Sequence, residues 1–286
     1  MRSKTLIVLF LWLPTGCSTQ SLMSDVEERE VYPETSACLE DLSSTASASS
    51  RGLNNNGFTI VNWNIQKGKR RNWAGDMQEL QAGADLMILQ EAPRESDVWD
   101  DLPQPHFRSF AEGFGFTKSV TGVLTMSSVE PLTECNLVAF EPWFGTRKAT
   151  LVTEYALTDS VETLLVVNIH GINFSFGVNH MQRQLRQAAI VIEQHDGPVL
   201  LSGDFNTWRG GRTEVVETIV EGLGLVPLEY EADHRKRWFG RALDHIYVRG
   251  LRTIHATSME MASSDHNPMA VHFSYGALPQ GFKATP

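Results

Sequence analysis

Two short polar segments decide the fold of this chain. They are Ser202-Gly203-Asp204-Phe205-Asn206 and, about sixty residues later, Ser263-Ser264-Asp265-His266-Asn267-Pro268. The first comes at the end of the apolar run 198–202, which reads as a strand. Active sites commonly lie at such strand ends, because the sheet fixes the backbone while the following loop stays open. Both segments are therefore candidate functional sites as well as landmarks of the fold.

The same arrangement recurs outward from these segments. Acids, amides or histidines again stand at the ends of apolar runs, in Val61-Asn62-Trp63-Asn64-Ile65, Ile88-Leu89-Gln90-Glu91, Val167-Asn168-Ile169-His170 and Asp244-His245-Ile246-Tyr247-Val248. A polar residue of this kind has an ordinary structural interpretation when it is taken alone. Asn64 or Asn168 could cap a turn, and His170 could be a hydrogen-bonded core histidine. The interpretation therefore depends on the whole ordered set.

Apolar patterning predicts an α/β domain with mixed sheets. Runs rich in Val, Ile and Leu predict strands at 58–64, 85–90, 121–126, 149–157, 163–169, 198–202, 244–248, 251–258 and 269–274. Apolar residues at intervals of three and four predict helices over 73–82, 178–195 and 211–222. Strands and helices interleave, yet several strands follow one another directly. This order is typical of mixed sheets covered by helices.

The acidic residues of the set favour a hard divalent cation. Glu91, Asp204, Asp244 and Asp265 offer carboxylate oxygens of the kind that suits Mg²⁺ or Mn²⁺. The set lacks the thiolates and the paired helical histidines that indicate zinc. Hydrolysis of a phosphoester needs a metal on a phosphoryl oxygen, a base for water, and donors for the developing charge. Carboxylates, amides and two histidines supply these groups.

The ordered series closely resembles the endonuclease/exonuclease/phosphatase superfamily. Its motifs are Asn64, Glu91, His170, Gly203-Asp204-Phe205-Asn206, Asp244 and Ser264-Asp265-His266. The resemblance runs from about Phe58 to Phe273 and is nearest to an uncharacterised bacterial branch. It implies the DNase I-like fold, a four-layer α/β sandwich with two mixed β-sheets packed face to face, and a catalytic domain over 58–286. It also implies divalent-metal-dependent phosphoester hydrolysis.

The resemblance assigns the metal site and the attacking water. Glu91 would be the principal ligand of Mg²⁺ or Mn²⁺, with Asn64 beside it and Asp265 completing the shell. Asp204 would orient or deprotonate the water. Asn206 would donate to the phosphoryl oxygens.

The resemblance also assigns the imidazoles. Asp244 would hold the ring of His266 and favour its charged form. Whether Asp204 or His266 is the general base stays open. His170 would contact phosphate or assist the leaving group, as in the DNase I and sphingomyelinase branch, and Asn168 would contact phosphate as well. The active-site tyrosine of the exonuclease III-type enzymes has no counterpart, which argues against repair of apurinic sites.

Nucleic acid is the leading substrate, although the chain is acidic overall. Its formal net charge is −10, so a polyanion has to be held by local basic clusters or by metal. Two such clusters flank catalytic segments, one of Lys67, Lys69, Arg70 and Arg71, and one of Arg235, Lys236, Arg237 and Arg241. We predict that Lys69, Arg70 and Arg71 bind substrate. The alternatives are a sphingomyelinase-like phospholipid or small-molecule phosphoesterase and, in another class, an inactive binding module. Trp143-Phe144-Gly145 is expected to be buried rather than an exposed apolar tip.

The N-terminus has the pattern of an export signal. Arg2 and Lys4 precede an apolar run at 6–13, and Gly16 precedes Cys17. We predict a signal peptide over 1–17, lipidation of Cys17, and a membrane-anchored lipoprotein facing the periplasm or the cell exterior. Ordinary secretion of a soluble protein is the alternative. No protein partner is predicted.

The segment after the signal reads as a tether. Residues 18–57 are rich in acidic, Ser and Asn residues and lack sustained periodicity. Cys38 and Cys135 are the two other cysteines of the chain. In an oxidising compartment they could form a disulfide, yet two isolated cysteines are more often unpaired, and the sequence leaves this open.

Overall fold

A computed structural model describes residues 33–42, 51–103, 106–116 and 119–276. The predicted signal peptide with Cys17, and part of the predicted tether, lie outside these residues. The helices are α1 (Pro33–Asp41), α2 (Trp73–Ala82), α3 (Asp97–Asp100), α4 (Asn179–Glu193) and α5 (Gly210–Gly222). The first seven strands are β1 (Phe58–Asn64), β2 (Leu86–Pro93), β3 (Phe107–Phe116), β4 (Ser119–Ser127), β5 (Thr133–Phe140), β6 (Arg147–Ala156) and β7 (Thr163–His170). The others are β8 (Val199–Asp204), β9 (Val226–Pro227), β10 (Arg237–Trp238), β11 (Arg241–Ala242), β12 (Asp244–Arg249), β13 (Arg252–Ser258) and β14 (Met269–Ser274).

Twelve of these strands form two sheets of six, in the orders β13-β14-β1-β2-β4-β3 and β5-β6-β7-β8-β12-β9. Each sheet has one parallel pair, β1 with β2 and β7 with β8, and its other pairs are antiparallel. Strands β10 and β11 form a separate hairpin. Because β1, β2, β7 and β8 are the parallel strands, their carboxyl ends meet at one edge of the sandwich.

Alternation along the strands produces the layers. On β1, Ile60 belongs to the apolar cluster between the sheets, whereas Val61 and Trp63 pack outward with α2 and α3. On β7, Val166 faces the other sheet, and Val167 packs outward with α4 and α5. Period-two alternation therefore gives both faces of each sheet an apolar partner. The result is a four-layer sandwich, as predicted.

The predicted elements are present, and the differences have physical causes. All nine predicted strands and all three predicted helices occur, with small shifts at their ends. The sequence does not predict the short helix α3, the two-residue strands β9, β10 and β11, or the longer strands β3 and β5. Both lie at sheet edges, where β5 alternates between exposed and half-buried residues and β3 carries the exposed Phe107. Half-exposed edge strands do not need the apolar runs by which inner strands are recognised.

The tether prediction has to be corrected for residues 33–41. These residues form helix α1, whose Cys38 is fully buried and forms a disulfide with Cys135 on β5. Leu39 and Leu42 add partly buried contacts to the apolar cluster beneath α4. A short helix with so few apolar side chains gives little periodic signal, and the disulfide supplies part of its attachment. Within the described part of the chain, no helix combines the length and the apolar character needed to cross a membrane.

Candidate active site

The candidate site lies where the space between the sheets changes from apolar to polar. Buried aliphatic side chains occupy the middle of the sandwich, and a layer of buried amide and hydroxyl groups follows them toward the edge: Asn62, Gln90, Asn168 and Ser202. Next come the residues predicted to be catalytic. The registers His170↔Asp204 and Asp204↔Asp244 place three of them side by side on adjacent strands.

Glu91 is aimed into the site by an irregularity in β2. The pairing of β2 with β4 shifts between Leu89 and Ala92, and Glu91 has a left-handed backbone with φ 51°. A non-glycine residue at positive φ is uncommon, and such positions concentrate at functional sites. The carboxylate lies 3.9 Å from Lys67 Nζ and 4.0 Å from His170 Nε2.

Asp204 is held in one orientation by a close backbone approach before it and by hydrogen bonds to both of its carboxylate oxygens. Gly203 before it has φ 151°, and a Cβ there would approach the carbonyl oxygen of Ile169 to 1.9 Å, so only glycine fits. Asp204 Oδ1 accepts a hydrogen bond from the backbone N–H of Asn206 at 2.9 Å, and Oδ2 accepts one from Asn64 Nδ2 at 3.1 Å. Burial raises the pKa of the Asp204 carboxyl above its ordinary value.

Asp244 and His266 form the predicted pair. His266 Nδ1 lies 2.7 Å from Asp244 Oδ2, and both side chains are buried. Burial alone would lower the pKa of the imidazole, but Asp244 and Asp204 outweigh it and raise the pKa of His266 to about 10. The ring is therefore an imidazolium at neutral pH, and its Nε2–H can only donate. Nε2 lies 3.8 Å from Asp204 Oδ2.

A second imidazole, that of His170, lies close to Asp204, and its charge differs from that of His266. His170 Nε2 is 3.7 Å from Asp204 Oδ2 and 2.6 Å from Lys148 Nζ. Burial, and then Lys148, lower the pKa of His170 well below its ordinary value. Because an ammonium group can only donate, Nε2 of a neutral His170 accepts this hydrogen bond. Asp204 thus lies between one charged and one neutral imidazole.

Asn206 is fixed by two neighbouring loops. Its backbone has φ 53°, and its Nδ2 donates to the carbonyl oxygen of Gly171 at 3.0 Å. Arg212 on α5 is buried, and its Nε donates to the backbone oxygen of Asn206 at 2.7 Å. Arg212 also donates to the backbone oxygen of Ile172, so it ties the loops after β7 and β8 together.

The oxygen donors near Glu91 suit a hard divalent cation. Glu91 and Asp265 line one cleft of about 840 Å³, together with His170, Asp204 and His266. Asp265 is exposed and accepts a hydrogen bond from Gln66 Nε2 at 3.0 Å. Carboxylate donors without thiolates fit Mg²⁺ or Mn²⁺.

Another group also has ligand-type atoms close together. Those of Asp204, Asp244 and His266 all lie within 4.8 Å of one another. His266 already uses its Nδ1 for Asp244, so it would offer such a metal its Nε2 alone. This group is a second candidate beside the predicted set of Glu91, Asp265 and Asn64. The Asn64 amide links this set to Asp204.

The predicted phosphate contact of Asn168 is wrong. Its side chain is fully buried, and Nδ2 donates to the backbone oxygens of Leu89 and Leu124, each at 3.2 Å. Its Oδ1 accepts a hydrogen bond from Gln90 Nε2 at 2.8 Å. Asn168 therefore joins β7 to β2 and β4 across the two sheets. It lies one alternation step before His170, on the apolar side of the catalytic layer.

The basic clusters are only partly brought to the site. Of Lys69, Arg70 and Arg71, only Arg70 lines the cleft, from which Lys69 and Arg71 are absent. Lys236 and Arg237 line it as well. The substrate-binding role of these side chains stays a prediction.

Sequence reasoning missed several residues of the cleft. Lys148 is the second residue of β6, directly after Arg147, and two adjacent charges there are typical of a solvated strand end. Asn173 and Trp208 line the cleft, and Trp208 Nε1 donates to Asn173 Oδ1 at 2.9 Å. The sequence offered a signal for these two, because each stands within three residues of a predicted catalytic side chain, His170 or Asn206.

The expectation that Trp143 and Phe144 are buried is also wrong. Their exposed fractions are 54% and 66%. They belong to the turn between β5 and β6, which is closed by a hydrogen bond from the Gly145 N–H to the Glu141 oxygen. The turn carries both rings beyond the end of the sheet, where they meet other exposed rings instead of the core.

A two-sheet sandwich with carboxylates, amides and two imidazoles at one edge is typical of phosphoesterases. The sequence profile of the Endonuclease/Exonuclease/phosphatase family matches residues 61–266. The chain belongs to this family, whose members are phosphoesterases.

Individual relatives agree with this assignment. A UPF0294 protein of Vibrio vulnificus is 34% identical over 226 residues, which cover 76% of this chain and 77% of the relative. An endonuclease/exonuclease/phosphatase of Beutenbergia cavernae has the same fold, with a TM-score of 0.61 and 13% identity over 79% of this chain and 73% of that one. ANGEL2, a 2',3'-cyclic phosphatase, superposes with a TM-score of 0.58 and 14% identity over 78% of this chain and 96% of its own.

Proposed function

We propose that this protein is a divalent-metal-dependent phosphodiesterase that cleaves nucleic acid outside the cytoplasm. The observation that carries the proposal is the position of Asp204 between the imidazoles of His170 and His266, at 3.7 and 3.8 Å. The carboxylates of Glu91 and Asp265 line the same cleft. This arrangement combines a base, a charged donor and a cation site around one small volume.

The charge states divide the chemical roles. An oxygen atom can lie within hydrogen-bond distance of both His266 Nε2 and Asp204 Oδ2, because the two atoms are 3.8 Å apart. His266 is charged and donates, so Asp204, whose pKa is raised by burial, takes the proton of the attacking water. The new P–O bond forms from this water. We therefore propose Asp204, and not His266, as the general base that the sequence left open.

The other groups stabilise charge and release the product. Asn206 has a second amide hydrogen for a phosphoryl oxygen, because only one is used on Gly171. As the second P–O bond breaks, the leaving oxygen takes a proton from the Lys148–His170 pair. The two nitrogen atoms of this pair share a proton in a hydrogen bond of 2.6 Å. Glu91, Asp265 and Asn64 would hold Mg²⁺ or Mn²⁺. When bound, the cation lowers the cost of negative charge on the phosphoryl group.

Nucleic acid is proposed as the substrate because cations line the cleft of an otherwise acidic chain. Arg70, Lys236 and Arg237 line the cleft, and their role in this proposal is to hold the phosphates that flank the cut. A phospholipid is the second candidate, because exposed aromatic rings such as Phe239 stand at the mouth of the cleft. Action outside the cytoplasm is supported by the Cys38–Cys135 disulfide, since disulfides persist in oxidising compartments. Lipidation of Cys17 and anchoring to the membrane remain part of this proposal.

The test uses the full chain with its disulfide intact. Plasmid DNA, RNA, sphingomyelin and methyl p-nitrophenyl phosphate are assayed with Mg²⁺, with Mn²⁺ and with EDTA. We expect cleavage of DNA or RNA and of the small diester, loss of both in EDTA, and a loss of at least about a hundredfold in Glu91→Gln. Full activity of Glu91→Gln, or of the EDTA-treated protein, would overturn the metal site. Cleavage confined to sphingomyelin would replace nucleic acid by lipid.

A further inference from the structure

Exposed aromatic side chains from two separate elements line the candidate catalytic cleft, and we call these two elements its walls. Phe174 belongs to the loop after β7, and Trp238 and Phe239 belong to the hairpin of β10 and β11, with exposed fractions of 54%, 60% and 80%. The three rings line the same cleft as His170 and His266. Large rings are rarely left in water without a function when they are grouped around a site.

The loop that carries Phe174 is held in place by hydrogen bonds. Glu141 is buried, and its two carboxylate oxygens accept hydrogen bonds from the backbone N–H groups of Asn173 and Phe174 at 2.7 and 2.9 Å. This anchors the loop after β7 to the turn between β5 and β6. Phe144 then lies edge-on to Phe174, with ring centroids 5.8 Å apart.

The second wall is the hairpin of β10 and β11. Trp238 and Phe239 stand at its tip with their rings edge-on, 6.1 Å between centroids. The tip turns at Phe239 and Gly240, with φ of 48° and 79°. The hairpin is anchored at its base, where Arg237 Nη2 lies 2.6 Å from Asp233 Oδ2.

We propose that this cleft binds single-stranded nucleic acid, with bases beside the scissile phosphate stacked on Phe174 and on Trp238 and Phe239. Aromatic rings beside a track of cations are the means by which proteins hold single strands without reading sequence, since every base has a π face. Arg70 and Lys236 supply cations in the same cleft. A duplex keeps its bases stacked inside and offers none to these walls. This inference names the substrate class and rests on the proposed function.

A lipid bilayer is the competing occupant, and the cations of the cleft decide against it. A single phospholipid headgroup brings one phosphate, whereas Arg70 and Lys236 line the cleft in addition to the groups around Asp204. A nucleic-acid strand brings further phosphates for these cations.

Binding measured in EDTA tests the inference without any cleavage. The probes are a labelled oligothymidylate of about 12 nucleotides, a strand of equal length with abasic residues, and a duplex. We expect the full-length wild type to bind the oligothymidylate about tenfold more tightly than the abasic strand or the duplex. Phe174→Ala and Trp238→Ala/Phe239→Ala should lose most of this preference. Phe107→Ala is the matched control, an exposed aromatic residue on edge strand β3, and should keep it.

The outcomes separate this inference from the proposed function. Equal binding of the oligothymidylate and the abasic strand by wild type would overturn it. So would sedimentation with vesicles of phosphatidylcholine and phosphatidylglycerol that is lost in Trp238→Ala/Phe239→Ala while the strands are bound alike. Activity on methyl p-nitrophenyl phosphate with Mn²⁺ reports on the proposed function alone. If that activity is absent while the base preference and its loss occur as expected, the proposed function fails and the inference stands.

Discussion

Among the single residues of the site, His266 depends most directly on a partner, because Asp244 keeps its ring charged. The hydrogen bond of 2.7 Å and the adjacent carboxylates keep the ring charged in a buried site. Without Asp244, burial would favour the neutral ring, which could no longer donate from both nitrogens. We therefore expect Asp244 to act through His266, as a positioning residue.

This dependence predicts strong non-additivity. We expect His266→Ala to lower kcat by about 10²- to 10⁴-fold, and Asp244→Ala to lower it by nearly as much. The double variant should be little worse than His266→Ala, because the second change removes a group with nothing left to orient. The pH profile of kcat supplies a second readout, since the Asp244→Asn variant should no longer hold the imidazolium at neutral pH. Losses that simply multiply would give Asp244 a separate function.

The residues found from the sequence are those whose neighbours along the chain carry information. Gly203 before Asp204 marks a backbone position where a Cβ would collide with Ile169, and that requirement is visible as glycine in the sequence. Lys148 could not be found in this way. Its contact with His170 depends on the pairing of β6 with β7, which no residue near Lys148 encodes locally.

At the level of elements, the strands place amides one alternation step behind the catalytic side chains. Asn168 on β7 donates to backbone oxygens of β2 and β4, and Ser202 on β8 donates to Asn62 on β1 at 3.0 Å. These bonds cross from one sheet to the other beneath the site. The sequence contained the alternation, but the partners of each amide depend on how the two sheets face each other.

Asn168→Ala should therefore act on folding. The change leaves Gln90 and two backbone oxygens with fewer partners in a dry interior, so we expect unfolding to become easier by about 2 kcal/mol. The specific activity of the folded fraction and its KM should stay close to wild type. Urea denaturation and steady-state kinetics on the same preparations distinguish the two roles. A raised KM at unchanged stability would restore the phosphate contact first predicted for this residue.

Helix α1 is the element that the sequence concealed most completely. Its attachment combines the buried Cys38, a few aliphatic contacts and a disulfide that closes a separation of 97 residues. Cross-linking residues this far apart restricts the unfolded chain, which is worth about 4.7 kcal/mol in the chain-entropy account. The acidic, Ser-rich composition around α1 indicates a tether. The disulfide that attaches this helix leaves no hydrophobic periodicity in the sequence, so the pattern does not predict the helix.

Removing this cross-link should destabilise the whole domain. For Cys38→Ser/Cys135→Ser we expect a loss of about 2 to 4 kcal/mol, measured by urea denaturation, and a similar loss for wild type treated with dithiothreitol. Dithiothreitol should leave the double variant unchanged, which provides the control. If reduction shifts the wild-type midpoint no more than that of the variant, the two cysteines are unpaired.

At the scale of the whole molecule, the cleft is lined by positive side chains although the chain as a whole is negatively charged. The chain carries a net charge of −10, yet Arg70, Lys236 and Arg237 line the cleft. The Arg237 side chain is paired with Asp233, which also pairs with Arg235, so this ion network supports the hairpin wall. These contacts lower the pKa of Asp233 to about 2. In this region charge supports the fold of the hairpin, and in the proposed function it also holds the substrate.

Acid should lower the stability of the metal-free protein in two separate pH windows. Burial, and then Arg235, lower the pKa of His245 to about 4. Since the ring titrates near 6.5 when unfolded, the unfolded chain binds the extra proton between these values, and stability falls as pH drops from about 6.5 to about 4. Asp233 follows at lower pH, because its stabilising charge is present above about 3.8 and is lost as pH falls toward about 2. Urea denaturation in EDTA across this range should give His245→Gln a flatter dependence in the upper window alone, and Asp233→Asn a flatter one in the lower window alone. Identical slopes for wild type and His245→Gln between about pH 6.5 and 4 would show that the imidazole is not held neutral by its burial.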